Sequence, residues 1–97
     1  MYKALHNDIT IKKSSIDGLG VFALKGIPKD TVLGISHIKD TRFENGYIRT
    51  PLGGFFNHSD IPNCKAYIDN DFIRLKTIKN ISKDEELTAK YWLYKIL

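Results

Sequence analysis

A β-hairpin signal in the second half of the sequence constrains the fold of this chain more than any other segment. Two apolar arms, Lys65–Ile68 and Phe72–Thr77, flank the polar connection Asp69–Asp71, and a short polar connection of this kind is typical of a hairpin. In the second arm Ile73 and Leu75 alternate with basic residues, which predicts a strand with one buried and one solvated side.

The first third of the chain also divides into strand-length stretches. Apolar or alternating residues occupy Ile9–Lys12, Val21–Leu24 and Thr31–Ile35, and the turn-forming segments Ser14–Gly20 and Ile27–Asp30 separate them. Pro28 within the second of these turns fixes one backbone dihedral and removes a hydrogen-bond donor. We therefore predict several short strands in this region.

Two segments differ from this pattern. Residues 36–54 are the least regular part of the sequence, with Pro51 and three glycines. At the C-terminus an apolar stripe has the spacing of a helix and consists of Ala89, Trp92, Leu93, Ile96 and Leu97. Short strands with turn signals and one short C-terminal helix predict a mainly β domain.

Composition narrows the class of protein. The chain has 97 residues, which is enough for one domain, and its apolar runs are too short to span a membrane. Residues 1–10 lack the apolar stretch of a signal peptide, and Cys64 is the single cysteine, which excludes an intrachain disulfide and a cysteine-based zinc cluster. A cytoplasmic or otherwise intracellular location is expected. No membrane partner is expected. The net charge of +4 permits an acidic partner or nucleic acid, but the lysines are scattered, so a nucleic-acid partner is not expected.

Single features indicate little about chemistry. The Gly18-Leu19-Gly20 segment reads as a tight turn, and Asn57–Ser59 reads as a turn or capping loop. His6 and His37 are isolated and are expected at the surface. No His, Asp or Glu residues have metal-ligand spacing, so no metal site is expected.

The order of three segments is more specific than any one of them. The chain contains Gly18–Ala23, then Asn57–Cys64 (NHSDIPNC), then Asp84–Tyr91 (DEELTAKY). These segments resemble the signature motifs of the SET domain family, which are GxG followed by a Val/Ile-Phe-Ala strand, NHS-x-x-PNC and GEELT-x-x-Y. The resemblance covers residues 9–91, and the small size is similar to bacterial, viral or phage members.

The resemblance implies a particular fold. It is the SET (β-clip) fold, a set of several small sheets in which the NHS and ELT-x-x-Y segments cross in a pseudoknot-like way. Residues 1–97 would form a single SET domain, with an N-terminal half at 9–35, a short variable insert at 36–54, a C-terminal half at 55–91 and a tail at 92–97. In that fold the core would include Phe22, Phe56, Leu75 and Leu87.

The resemblance also implies an activity, the S-adenosylmethionine-dependent transfer of a methyl group to a lysine side chain of a protein substrate, with S-adenosylhomocysteine as the product. Gly18, Leu19 and Gly20 would contact the methionine part of the cofactor. Asn57 and His58 would bind its adenosine end, and Tyr91 would be the catalytic tyrosine.

Departures from the family pattern keep other interpretations open. Gly54, Asp60 and Asp84 replace the family's Arg, Cys and Gly, and no Tyr-x-Gly segment is recognisable at Ile35–Ile38. The short insert would leave a shallow substrate groove, or one completed by a homodimer. One alternative is an inactive SET-like module that binds the cofactor or a partner protein. The other is a basic nucleic-acid-binding β domain, which explains none of the three motifs; its stacking residues would be Tyr2, Tyr47, Phe55 and Tyr67.

Overall fold

A computed structural model describes residues 5–43 and 46–90 of the chain. This part of the chain contains eight strands and one short helix. The elements are β1 (Ile9–Lys13), β2 (Leu19–Ala23), β3 (Val32–Lys39), β4 (Tyr47–Arg49), α1 (Pro51–Phe55), β5 (Asn57–His58), β6 (Cys64–Asp69), β7 (Phe72–Thr77) and β8 (Glu86–Ala89). The predicted mainly β architecture of several small sheets is confirmed. No helix among these residues is long and apolar enough to cross a membrane.

The first sheet has the strand order β1-β2-β8-β5. β1 and β2 form an antiparallel hairpin, and β8 pairs antiparallel with β2. On its other edge β8 pairs parallel with β5, with Asn57 opposite Thr88 and His58 opposite Ala89. The NHS segment and the ELT segment thus lie side by side although they are far apart in sequence.

The second sheet has the order β4-β3-β7-β6 and contains the predicted hairpin. β6 and β7 pair from Cys64 opposite Thr77 to Asp69 opposite Phe72. The connection is therefore two residues long, one fewer than predicted, because Asp69 still belongs to the strand. Asn70 in this turn has φ of 55°, and asparagine adopts this left-handed region more easily than most residues.

Residues 36–54 are more regular than the sequence indicates. β3 extends to Lys39, β4 pairs with it, and α1 follows. Thr50 caps α1 by accepting a hydrogen bond from Gly53 N at 3.4 Å, and Pro51 occupies the first turn, where its missing N–H has no helical partner to lose. Gly53 is required because a Cβ atom there would overlap the carbonyl of Ser36.

One apolar core lies between the two sheets and α1. It contains three of the four predicted core residues, Phe56, Leu75 and Leu87. The prediction for Phe22 is wrong, since its side chain is only partly buried and Lys12 Nζ lies 5.3 Å from the centre of its ring. The other members of the core are Ile9, Val21, Ala23, Ile27, Leu33, Leu52, Cys64, Ile81 and Ala89.

The predicted C-terminal helix is wrong at its first residue, Ala89. Ala89 belongs to β8, because it pairs with His58 and its carbonyl accepts a hydrogen bond from Ser59 N at 3.2 Å. The other residues of the predicted helix, at 92–97, lie outside the described residues.

Two four-residue turns occupy equivalent positions in the fold, Ile27–Asp30 and Ile81–Asp84. Ile27 and Ile81 exchange backbone hydrogen bonds at 2.9 and 2.8 Å. The aspartates that end the turns have φ of 67° and 69°, and each donates its N–H to the last residue of a strand, Thr77 or Ala23. These are left-handed positions, at which glycine avoids the steric cost that a Cβ atom carries.

This conformation predicts the stability of two variants at position 84. The variant Asp84→Gly should be more stable than Asp84→Ala by about 1 kcal/mol, because only alanine places a Cβ atom in the left-handed region. Both substitutions remove the exposed ion pair between Lys12 and Asp84 (3.6 Å), so their difference reports the backbone alone. Urea unfolding measures it, and equal midpoints for the two variants would contradict the assignment.

Candidate functional site

The structure brings the Gly18-Leu19-Gly20 segment and the NHS segment together. The side-chain amide of Asn57 donates hydrogen bonds to the carbonyls of Asp17 and Leu19, both at 3.2 Å. Asn57 is buried, whereas Leu19 is 49% exposed. The two segments that were expected to bind opposite ends of one cofactor are therefore in direct contact.

The turn before β2 is held by short-range hydrogen bonds. Ser14 N donates to Gly18 O at 2.8 Å, and Ile16 N donates to Ser14 Oγ at 2.9 Å. Gly18 has φ of 44°, and apart from its two chain neighbours no described residue has an atom within 4 Å of the place where its Cβ would be. Glycine at this position thus satisfies the backbone dihedral and leaves open space beside the turn.

Gly20 has a different role from Gly18. A Cβ atom at Gly20 would overlap the carboxylate of Glu86 and would lie 3.0 Å from Asn57 Nδ2. The second glycine of the motif therefore makes room for a neighbouring acidic side chain. The sequence motif alone gave no indication of this packing requirement.

Glu86 connects three segments of the site. Its carboxylate accepts hydrogen bonds from Ser14 Oγ at 2.8 Å and from Asn57 Nδ2 at 2.8 Å. Hydrogen bonds to an ionised acceptor are stronger than those between neutral groups. The loop after β1, strand β8 and strand β5 are therefore linked through one side chain.

His58 lies at the end of β5, which is the last strand in the order of the first sheet among the described residues. Its Nε2 is 3.1 Å from Asp60 Oδ1, and the two side chains are 36% and 84% exposed. A polar contact this exposed contributes little to stability. Asp60 thus replaces the family's cysteine with a solvated carboxylate beside the histidine.

Asn63 fastens the loop after His58 to β8. Its amide donates to Glu86 O at 2.8 Å and to Glu85 Oε2 at 3.0 Å, and its Oδ1 accepts from Thr88 N at 2.8 Å. The Asn63 side chain thus makes hydrogen bonds with the β8 backbone of the kind that a neighbouring strand would make. No role was predicted for Asn63 from the sequence. Its position in the PNC motif is the sequence feature that could have indicated one.

Cys64 is fully buried, and burial, followed by the nearby carboxylate of Glu85, raises the pKa of its thiol to about 12. Since the thiolate is the reactive form of cysteine, this residue is a core residue and is unsuited to act as a nucleophile.

The expectation that both histidines lie at the surface is only partly right. His6 is partly exposed, and its Nδ1 accepts a hydrogen bond from Asp8 N at 3.1 Å. His37 is half-buried, with Nδ1 2.9 Å from Ser36 Oγ and its ring edge-to-face with Tyr47. Burial, with a smaller contribution from Arg49, lowers the pKa of His37.

Two other predictions concern the catalytic tyrosine and metals. Tyr91 lies outside the described residues, one position after the last of them, Lys90. Within residues 5–43 and 46–90, no three His, Cys, Asp or Glu side chains are grouped so that they could hold a metal ion.

Comparison with known proteins identifies the family. The SET domain family model matches residues 36–92, and the chain belongs to the SET domain family. A candidate SET domain-containing protein of Acanthamoeba polyphaga mimivirus is 31% identical over 84 residues, which cover 84% of this chain and 33% of that protein. The chain therefore spans about a third of the length of this curated relative.

Solved structures agree with the family assignment. The crystal structure of a candidate histone methyltransferase of Plasmodium falciparum is 32% identical, with a TM-score of 0.72 over 89% of this chain and 94% of that chain. The methyltransferase domain of human PR domain-containing protein 2 is 20% identical, with a TM-score of 0.71 over 88% of this chain and 77% of that chain. The second similarity shows the fold alone. The predicted SET fold is confirmed.

The hydrogen bonds of Asn63 predict a large loss of stability in Asn63→Ala. The variant leaves the buried N–H of Thr88 without its acceptor and should lose about 2–3 kcal/mol in the free energy of unfolding. Asn80→Ala is the matched control, because exposed Asn80 accepts one hydrogen bond, from Lys29 N, and should lose about 1 kcal/mol or less. Similar losses in the two variants would contradict the bridging role of Asn63.

The raised pKa of Cys64 predicts an unreactive thiol. In the native chain at pH 8, modification by a thiol reagent should be roughly a thousandfold slower than in denaturant. The native state also keeps the thiol proton to higher pH than the unfolded state does, so the contribution of this group to stability should fall as pH rises from about 9 towards 12. Rapid stoichiometric labelling of the folded chain at pH 8 would contradict the prediction that the Cys64 thiol is unreactive.

Proposed function

We propose that this SET domain transfers a methyl group from S-adenosylmethionine to a lysine side chain of a protein. The observation that carries the proposal is the contact of Asn57 with the carbonyls of Asp17 and Leu19. This contact joins the two segments whose family counterparts bind opposite ends of that cofactor. The similarity to the Plasmodium falciparum protein, over nearly all of both chains, supports the same class of activity.

The chemistry of the described residues fits such a cofactor. The open space beside Gly18 allows a ligand to approach the backbone of the turn, and the half-exposed side chain of Leu19 offers an apolar surface. Because the Asn57 amide already donates to protein acceptors, we assign its side chain to shaping the turn, and we assign adenosine contacts to His58 and the backbone of β5. When bound, the cofactor supplies an electrophilic methyl group on a sulfonium.

The substrate amine must be neutral to accept a methyl group. A free lysine has a pKa near 10.4, so converting its ammonium group to the neutral amine at pH 7 costs about 4.6 kcal/mol. Burial in an apolar channel and a nearby positive charge both favour the neutral amine. In this proposal Tyr91 acts by orienting the amine through its hydroxyl group, and no general base is required of it.

Methyl transfer tests the proposal directly. The chain is incubated with methyl-labelled S-adenosylmethionine and with core histones, ribosomal proteins or the chain alone. The variant Tyr91→Phe should reduce labelling by about a hundredfold or more, as expected for the loss of one group that stabilises the transition state. Tyr67→Phe is the control, since Tyr67 lies on β6 in the second sheet, under Lys76, and should label at the normal rate.

Calorimetry with S-adenosylhomocysteine separates this function from its main alternative. Binding without methyl transfer to any of these substrates would indicate an inactive SET module and overturn the catalytic proposal. Absence of S-adenosylhomocysteine binding would contradict both the methyltransferase proposal and the alternative of an inactive module that binds the cofactor. Equal labelling by the native chain and by Tyr91→Phe would contradict the role of the tyrosine.

A further inference from the structure

We infer that Glu86 is a positioning residue for the proposed cofactor surface, an inference that rests on the proposed function and deepens it. Glu86 lies on β8 opposite Phe22 of β2, and its carboxylate accepts hydrogen bonds from Ser14 and Asn57. It acts through these two side chains and holds the turn before β2 at a fixed place relative to β5.

Backbone hydrogen bonds connect β2 to β5 only indirectly, through β8. β8 lies between β2 and β5, so the two strands that carry the cofactor segments share no backbone hydrogen bonds. Side chains can connect them directly, and among the described contacts Asn57 and Glu86 do so. Because Ser14 is bonded to the same carboxylate, the start of the turn is fixed as well.

Glu86 also accepts from the same amide nitrogen of Asn57 that donates to the two carbonyls of the turn. A side-chain amide has a donor end and an acceptor end, and an ionised carboxylate at 2.8 Å accepts a hydrogen bond only from the donor end. That orientation directs the remaining N–H of Asn57 at the carbonyls of Asp17 and Leu19. Without Glu86 the amide loses one of its acceptors, and the two carbonyl contacts at 3.2 Å are left to hold the turn beside β5.

The glycine at position 20 provides independent support. The place of its missing Cβ is taken by the Glu86 carboxylate, so the variant Gly20→Ala must displace that carboxylate. The two positions should therefore be coupled. Gly20→Ala should weaken S-adenosylhomocysteine binding strongly in the native chain and only slightly in a chain that already carries Glu86→Ala.

The test compares three variants at neighbouring acidic positions by two measurements. Glu86→Ala removes the network, and Glu86→Gln keeps an acceptor for Asn57. Glu85→Ala is the control, because Glu85 also accepts two hydrogen bonds, from Ser82 N and Asn63 Nδ2, but none from the turn before β2. Hydrogen exchange of residues 14–20 is measured without ligand, and S-adenosylhomocysteine affinity is measured by calorimetry.

We expect Glu86→Ala to speed exchange in residues 14–20 and to weaken S-adenosylhomocysteine binding, each by about tenfold, the effect of losing hydrogen bonds to a charged group. Glu86→Gln should recover most of both, and Glu85→Ala should leave both near the native values. Gly20→Ala should resemble Glu86→Ala, and the double variant should be little worse than either.

Two results would overturn the inference. One is unchanged exchange in Glu86→Ala, and the other is faster exchange with unchanged affinity, since the carboxylate would then have no effect on the binding surface. Failure of the proposed function looks different, because the native chain would not bind S-adenosylhomocysteine at all. The exchange rates would in that case still decide whether Glu86 holds the turn.

Discussion

Strand β8 is hydrogen-bonded along both edges, antiparallel to β2 and parallel to β5, and the rest of the site depends on this double pairing. It places the Asn57 side chain beside the turn that begins β2, and it sets Glu86 between them. Asn63 extends the same arrangement by bonding to β8 where no further strand is present. Four residues of β8 thus position most of the polar groups of the site.

Local patterns in the sequence account for much of this fold. Alternation predicts β1 and β7, and the polar connection at 69–71 predicts the β6–β7 hairpin, with an error of one residue in the loop. The order of the three motifs predicts the SET fold and the crossing of the NHS and ELT segments. These features depend on neighbours in sequence or on a family resemblance, so one sequence is enough to find them.

Features that depend on distant packing could not be predicted. Gly20 reads as a flexible turn residue until Glu86, far along the chain, is seen to occupy its open side. The regular structure of residues 36–54 comes from pairing with β7 and from the close approach of Gly53 to Ser36. Phe22 is a large apolar residue and was therefore predicted in the core, but its ring lies beneath the ammonium group of Lys12. In each case the partner, and so the environment, is set by tertiary structure.

The pairing of β8 also has a consequence for how the domain folds. The hairpins β1–β2 and β6–β7 join residues close in sequence and can form early, because short loops close at little entropic cost. β8 must find β2 across more than sixty residues and β5 across about thirty. We therefore expect the site to be the last region to become ordered, after both hairpins have formed, and the transition state for folding to lie before its completion.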